Sequence, residues 1–191
     1  MTDVPASEGS SRHRYVALLR GINVGKNNRV PMELLRDLLT GLGYTDVRTH
    51  LNSGNAVFGA ARKQQPATVA TKIEKALLDA VGRPIRVVVR TRDELAGVVE
   101  RNPLESVATD PARFLVAFLD KPVAASRLQD LDDSALLPER FHRDERELYL
   151  WLPTGIQNSE LVKTLSDQRL GVTSTHRNWN TVTRLLELAD A

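Results

Sequence analysis

Two polar stretches of the chain carry residues suited to binding an anion. Arg20-Gly21-Ile22-Asn23-Val24-Gly25-Lys26-Asn27 offers two cations, amide side chains and glycines that free the backbone to turn its N–H groups toward a ligand. His50-Leu51-Asn52-Ser53-Gly54-Asn55 adds a hydroxyl and further amides. Backbone N–H groups in tight turns, backed by Arg or Lys, are the usual cradle for phosphate or carboxylate. The candidate binding residues are therefore Arg20, Gly21, Asn23, Gly25, Lys26, Asn52, Ser53 and Asn55. A competing reading is purely structural, since Asn and Gly also occur where turns need positive φ. Arg20 weighs toward function, because no acidic residue follows it until Glu33. A third stretch, Thr175-His176-Arg177-Asn178-Trp179-Asn180-Thr181, leads into a helical pattern. Helix capping and packing account for most of it but leave Arg177, which would complete an anion pocket if it points toward the first two stretches.

Other chemistries find less support. GINVGK has three residues between its glycines and Asn27 after the lysine. A phosphate loop needs four residues there and a hydroxyl on the next residue to hold magnesium. Ser53 lacks the Gly-x-Ser-x-Gly elbow of a hydrolase nucleophile. His13, His50, His142 and His176 stand apart without metal-ligand spacing. General acid–base work by His50 or His176 is the remaining route to an enzyme, metal-independent and using the same pocket. No metal and no cofactor is expected.

For these stretches to meet, the intervening elements must bring them together. Residues 15–20 read as a buried strand and 31–42 as a helix begun by Pro31 at its first position, with Leu34, Leu35, Leu38, Leu39 and Leu42 on one face. A hairpin follows over 44–51 and 55–58 around Asn52-Ser53-Gly54. A helix spans 66–81, stopped by Gly82, and IRVVVR forms a fourth strand. Thr91 and Glu94 make a capping box for a connecting helix. The order then repeats: a strand over 113–119, a helix over 122–131, a hairpin of 140–143 with 147–152, a helix capped by Asn158 and closed by Gly171, a strand over 172–176 and a last helix from Trp179. The expected fold is α+β, two ferredoxin-like βαββαβ halves, each followed by an extra helix. The halves cover 15–102 and 103–191, behind a disordered tail over 1–14. In such a sheet, ordered 4-1-3-2, the first and second strands are parallel, so the loop after strand one and the hairpin tip share one rim.

Composition narrows the partners. Zero cysteines exclude disulfides and thiolate chemistry and suit a reducing, cytoplasmic setting. No apolar run is long enough to cross a bilayer, so no membrane partner is expected. Residues 1–90 hold 14 Lys/Arg against 7 Asp/Glu, net +7, and residues 91–191 hold 12 against 17, net −5. A basic half can meet an anionic partner or attract the acidic half. Nucleic acid is a partner class on charge alone. The RNA-recognition domain shares the element order, but its third strand carries stacking aromatics where this one has Asn55 and Val57.

The segments YVALLRGINVGKNNRVPM, GLGYTDVRTHLNSGNAVF and THRNWNTVTRLLEL, in that order over nearly the whole chain, resemble the bacterial family known as domain of unknown function 1697. Lys26 stands where the family has a second glycine, and His50 where it has an aromatic. The resemblance implies an α+β fold without an assigned activity, cofactor or catalytic residue. Together these readings point to a binding module for a small anionic ligand such as a nucleotide or phosphometabolite. A metal-independent enzyme or a nucleic-acid or protein interaction module are the alternatives.

Overall fold

A computed structural model describes residues 13–23, 28–129 and 136–191. The first half contains β1 (His13–Leu19), α1 (Met32–Gly41), β2 (Thr45–His50), β3 (Asn55–Ala60), α2 (Pro66–Val81), β4 (Val87–Thr91) and α3 (Arg92–Glu100). The second contains β5 (Phe114–Leu119), β6 (Arg140–Arg143), β7 (Glu147–Trp151), α4 (Glu160–Thr164), α5 (Asp167–Leu170), β8 (Ser174–Asn178) and α6 (Trp179–Asp190). Each half builds a four-stranded antiparallel sheet, ordered β2-β3-β1-β4 and β6-β7-β5-β8. Both are the 4-1-3-2 order of a ferredoxin-like arrangement, each followed by its extra helix.

Three apolar layers form the core, and the middle one joins the halves. On the outer face of the first sheet, Tyr15, Ala17, Leu19 and Phe58 pack against Leu35 and Leu39 of α1 and Val69, Ile73 and Leu77 of α2. On the outer face of the second, Leu115, Ala117, Leu148 and Leu150 pack against Leu161, Leu165 and Leu170. The inner faces meet in the middle, where Val16, Leu18 and Val57 join Val116, Phe118 and Tyr149 around Leu95 and Val98 of α3 and Val182 and Leu185 of α6. Alternation along β1 and β5 therefore feeds two cores at once, which is why both strands read as unbroken apolar runs. The charge division of the sequence serves the same junction. Arg20 pairs with Asp167, Arg86 with Asp120 and Arg90 with Glu147, so cations of the basic part meet carboxylates of the acidic one.

Several local expectations are corrected. The first strand starts at His13, so residues 13–14 of the expected tail are strand, while 1–12 lie outside the described residues. Pro31 is the N-cap of α1 rather than its first turn, with extended φ −60° and ψ 140°. Residues 125–127 form a single 3-10 turn in place of the helix expected over 122–131, part of which lies outside the described residues. Ser159, not Asn158, caps α4. The helix expected from 158 to 171 breaks in two because Ser166 caps a new start at α5. The last strand extends to Asn178, two residues past the expected end, and α6 begins without a linking loop.

Candidate functional site

The loop after β1 and the β2–β3 turn do share one rim. Leu19 N–H donates to Gly54 C=O at 2.8 Å, and the Asn23 side chain donates to Asn52 C=O at 2.6 Å and Val30 C=O at 3.0 Å. Several backbones here take the left-handed conformation, including Gly21, Asn23, Asn28, Leu51 and Gly54. Gly54 is obligatory for a second reason, since a Cβ there would stand 2.7 Å from Leu19 Cβ. Asn23 and Asn28 tie the loop to itself, and Asn55 Nδ2 donates to His50 C=O and Ser53 Oγ. Arg20, which lacks a nearby acid in sequence, finds Asp167 of the second half. Gly25 and Lys26 lie outside the described residues. The side chains of Asn23, Asn28 and Asn55 thus bond within the rim itself.

Arg177 crosses from β8 to this rim. Its Nε donates to Asn55 Oδ1, its Nη1 to Thr175 Oγ1 at 2.9 Å and His176 C=O at 2.8 Å, and its Nη2 to Leu19, Ser53 and Gly54 carbonyls at 2.7, 3.0 and 3.4 Å. Arg177 is 8% and Asn55 0% exposed. Every one of these acceptors is neutral, and no carboxylate among the described residues forms an ion pair with Arg177. Desolvation pulls its pKa down to about 10.

The register of the two sheets makes Arg177 the counterpart of Arg90. Val16 pairs with Arg90 as Val116 pairs with Arg177, and Leu18 pairs with Asn55 as Phe118 pairs with Glu147. Leu19 N–H meets Gly54 C=O as Leu119 N–H meets Arg146 C=O at 2.9 Å. Thr91 caps α3 as Asn178 caps α6, which aligns Glu94 with Thr181. Arg90 reaches across to the other half in the same way, donating to Leu119 C=O at 2.8 Å and Arg146 C=O at 3.0 Å. Its surroundings differ in charge. Nε donates to Glu147 Oε1 at 2.7 Å, and the Glu94 carboxylate accepts from Arg146 and from Thr91 N–H. Two guanidiniums there face two carboxylates. At the Arg177 junction the same three positions are Gly54, Asn55 and Thr181, leaving one cation without an anion.

A cleft of about 300 Å³ opens beside this cation, lined among others by Ser53, Arg113, His176, Arg177, Asn178 and Thr181. Leu51 and Ile156, exposed at 56% and 45%, also line it, one from each half. Arg113 is paired with Asp110 at 3.4 Å. The His176 pKa is lowered to about 4, chiefly by burial and then by Arg177 and Arg20, so the ring is neutral at pH 7. His50 is also lowered, by burial and then by Arg184. Among the described residues no group of three or more His, Asp or Glu could hold a metal ion, and no helix is long and apolar enough to cross a membrane.

Of the residues expected from sequence, Ser53, Asn55 and Arg177 meet at this junction. Leu51, Ile156 and Thr181 were not anticipated. One sequence signal pointed to the junction: Arg90-Thr91 and Arg177-Asn178 each place an arginine directly before a helix cap.

The model of a family described as "Protein of unknown function (DUF1697)" matches residues 12–149. No curated protein matches the chain. Its structure is similar to that of the conserved bacterial protein SP0830 from Streptococcus pneumoniae, with a TM-score of 0.73 and 23% identity, covering 93% of this chain and 98% of that one. At that identity the likeness shows a shared fold.

Proposed function

The chain belongs to the DUF1697 family, and we propose that it is a binding module for a small anionic ligand, held in the cleft between the β2–β3 turn and the start of α6. The observation that carries this reading is the broken symmetry of the two junctions. Arg90 has Glu147 beside it, whereas Arg177 has Asn55 at the equivalent place. A buried cation with only neutral partners favours a nearby anion, and the cleft gives an anion access to that wall. The first turn of α6 adds its dipole with the same sign.

The site differs from the loop surface suggested by sequence, since Asn23 serves as scaffold and Arg20 is paired. The sheet faces support no role in base stacking, because β3 is buried along its whole length between α2 and the second half.

Isothermal titration at low ionic strength with phosphate, acetate, nucleotides and sugar phosphates tests the proposal. The wild-type chain is expected to bind at least one of them. Thr181→Glu, which rebuilds the capping carboxylate that α3 has in Glu94, is expected to lose that binding by tenfold or more while remaining folded. Absence of heat with every anion, or unchanged binding by Thr181→Glu, contradicts the reading.

A further inference from the structure

The charge of the Arg177 junction and the walls of its cleft say more about the ligand. We infer that the anionic group is a carboxylate on a short aliphatic body, an inference that rests on the anion-binding reading above. The molecule contains its own template for the occupant. At the Arg90 junction the equivalent space beside the helix start holds the Glu94 carboxylate, which accepts from the backbone N–H of the cap residue at 2.8 Å and from Arg146. At the Arg177 junction Thr181 stands in its place, and its hydroxyl folds back onto Asn178 Oδ1 at 2.7 Å.

Charge counting favours a monoanion. Arg90 and Arg146 against Glu94 and Glu147 sum to zero. Arg177 with Gly54, Asn55 and Thr181 sums to +1, and the flanking Arg113–Asp110 and Arg20–Asp167 pairs are each neutral. A carboxylate brings the junction to zero, whereas a phosphate dianion would leave an excess negative charge in a partly desolvated cleft.

The remaining walls specify the body. Leu51 and Ile156 line the cleft from opposite halves, and each leaves about half of its surface uncovered by the described residues. Leu51 is held outward at the hairpin tip with φ 57°, a conformation disfavoured for a leucine. A backbone that glycine or asparagine would occupy more easily is thus spent on an exposed apolar group. An aliphatic chain between the two side chains would cover them, and 300 Å³ fits a small acid.

The test is a titration series of acetate, butyrate, isovalerate and hexanoate on the full chain, with isovaleramide, inorganic phosphate and adenosine monophosphate as comparators. Affinity is expected to rise roughly two- to fourfold per methylene placed between the side chains. Isovaleramide should not bind. Leu51→Asn, which suits the left-handed turn, should flatten the dependence of affinity on chain length. A tripeptide Gly-Gly-Leu arm separates the two sources of such a group. Tighter binding than isovalerate assigns the carboxylate to a chain terminus, and weaker binding to a free acid, both retaining the carboxylate. Binding of phosphate or the nucleotide without any acid overturns the carboxylate inference and leaves the anion site standing. Silence from every anion removes both. A chain-length gradient that persists in Leu51→Asn overturns the aliphatic wall.

Discussion

Replacing the two crossing arginines one at a time separates a compensated junction from an uncompensated one. Arg90→Met strips Glu147, 5% exposed, of its ion-pair partner while leaving its carboxylate in place. Orphaning a buried carboxylate costs about 3–5 kcal/mol. Arg177→Met orphans only neutral acceptors. Gly54 C=O keeps its bond from Leu19 N–H, so the Ser53 carbonyl and Asn55 Oδ1 bear most of the loss. At about 1–3 kcal/mol per unsatisfied acceptor, offset by no longer burying an unpaired cation, the net cost is about 1–3 kcal/mol. Urea unfolding at pH 7 followed by circular dichroism measures both. The second step is decisive: Glu147→Leu on the Arg90→Met background should recover most of the loss, because it removes the stranded charge. Asn55→Leu on the Arg177→Met background should recover nothing, because Asn55 Nδ2 also ties the turn to His50 C=O and Ser53 Oγ. Equal costs for the two single variants, without rescue by Glu147→Leu, would refute the claim that the junctions differ in charge compensation.

Other expectations follow from the same geometry. Gly54→Ala combines φ +81° with a Cβ 2.6 Å from Ile22 Cδ1 and 2.7 Å from Leu19 Cβ, so thermal or urea unfolding should show a loss of about 2–4 kcal/mol. Gly43→Ala, at φ +83° in open space, should lose only about 1 kcal/mol, the strain of the left-handed backbone alone. His176 falls from 6.5 to about 4 on folding, so the unfolded chain takes up its proton first as pH drops. Stability from this group is full above pH 6.5 and declines toward pH 4, by about 3 kcal/mol at most, and unfolding from pH 4 to 7 should show a shallower slope in His176→Gln.

Most of the architecture is written locally. Pro66 and Gly82 bracket α2, Thr91 and Glu94 box the start of α3, and the leucines of α1 repeat at helical spacing, so these elements need little from the rest of the fold. The shared rim follows from strand order alone. What eluded sequence reading depends on the docking of the halves. Arg20 shows no acid nearby in the chain because its partner lies 147 residues away at Asp167. The helix expected over 158–171 breaks because Ser166 offers its own cap to Arg169 N–H at 3.4 Å. Asn23 resembles a ligand group and a turn residue equally in sequence, and its bonds to Val30 and Asn52 carbonyls depend on the hairpin tip coming alongside the loop. Arg177 stood out as the residue capping could not explain, yet its meaning came from comparison with Arg90, which needs the register of both sheets.

An anomalous difference map from a crystal of the wild-type chain soaked in bromide reads the charge of the two junctions side by side. The expected result is a bromide peak in the cleft beside Arg177, Asn178 and Thr181, with none at the Arg90 junction, where Glu94 and Glu147 already supply the negative charge. An empty cleft at Arg177, or an equal peak beside Arg90, would contradict the account.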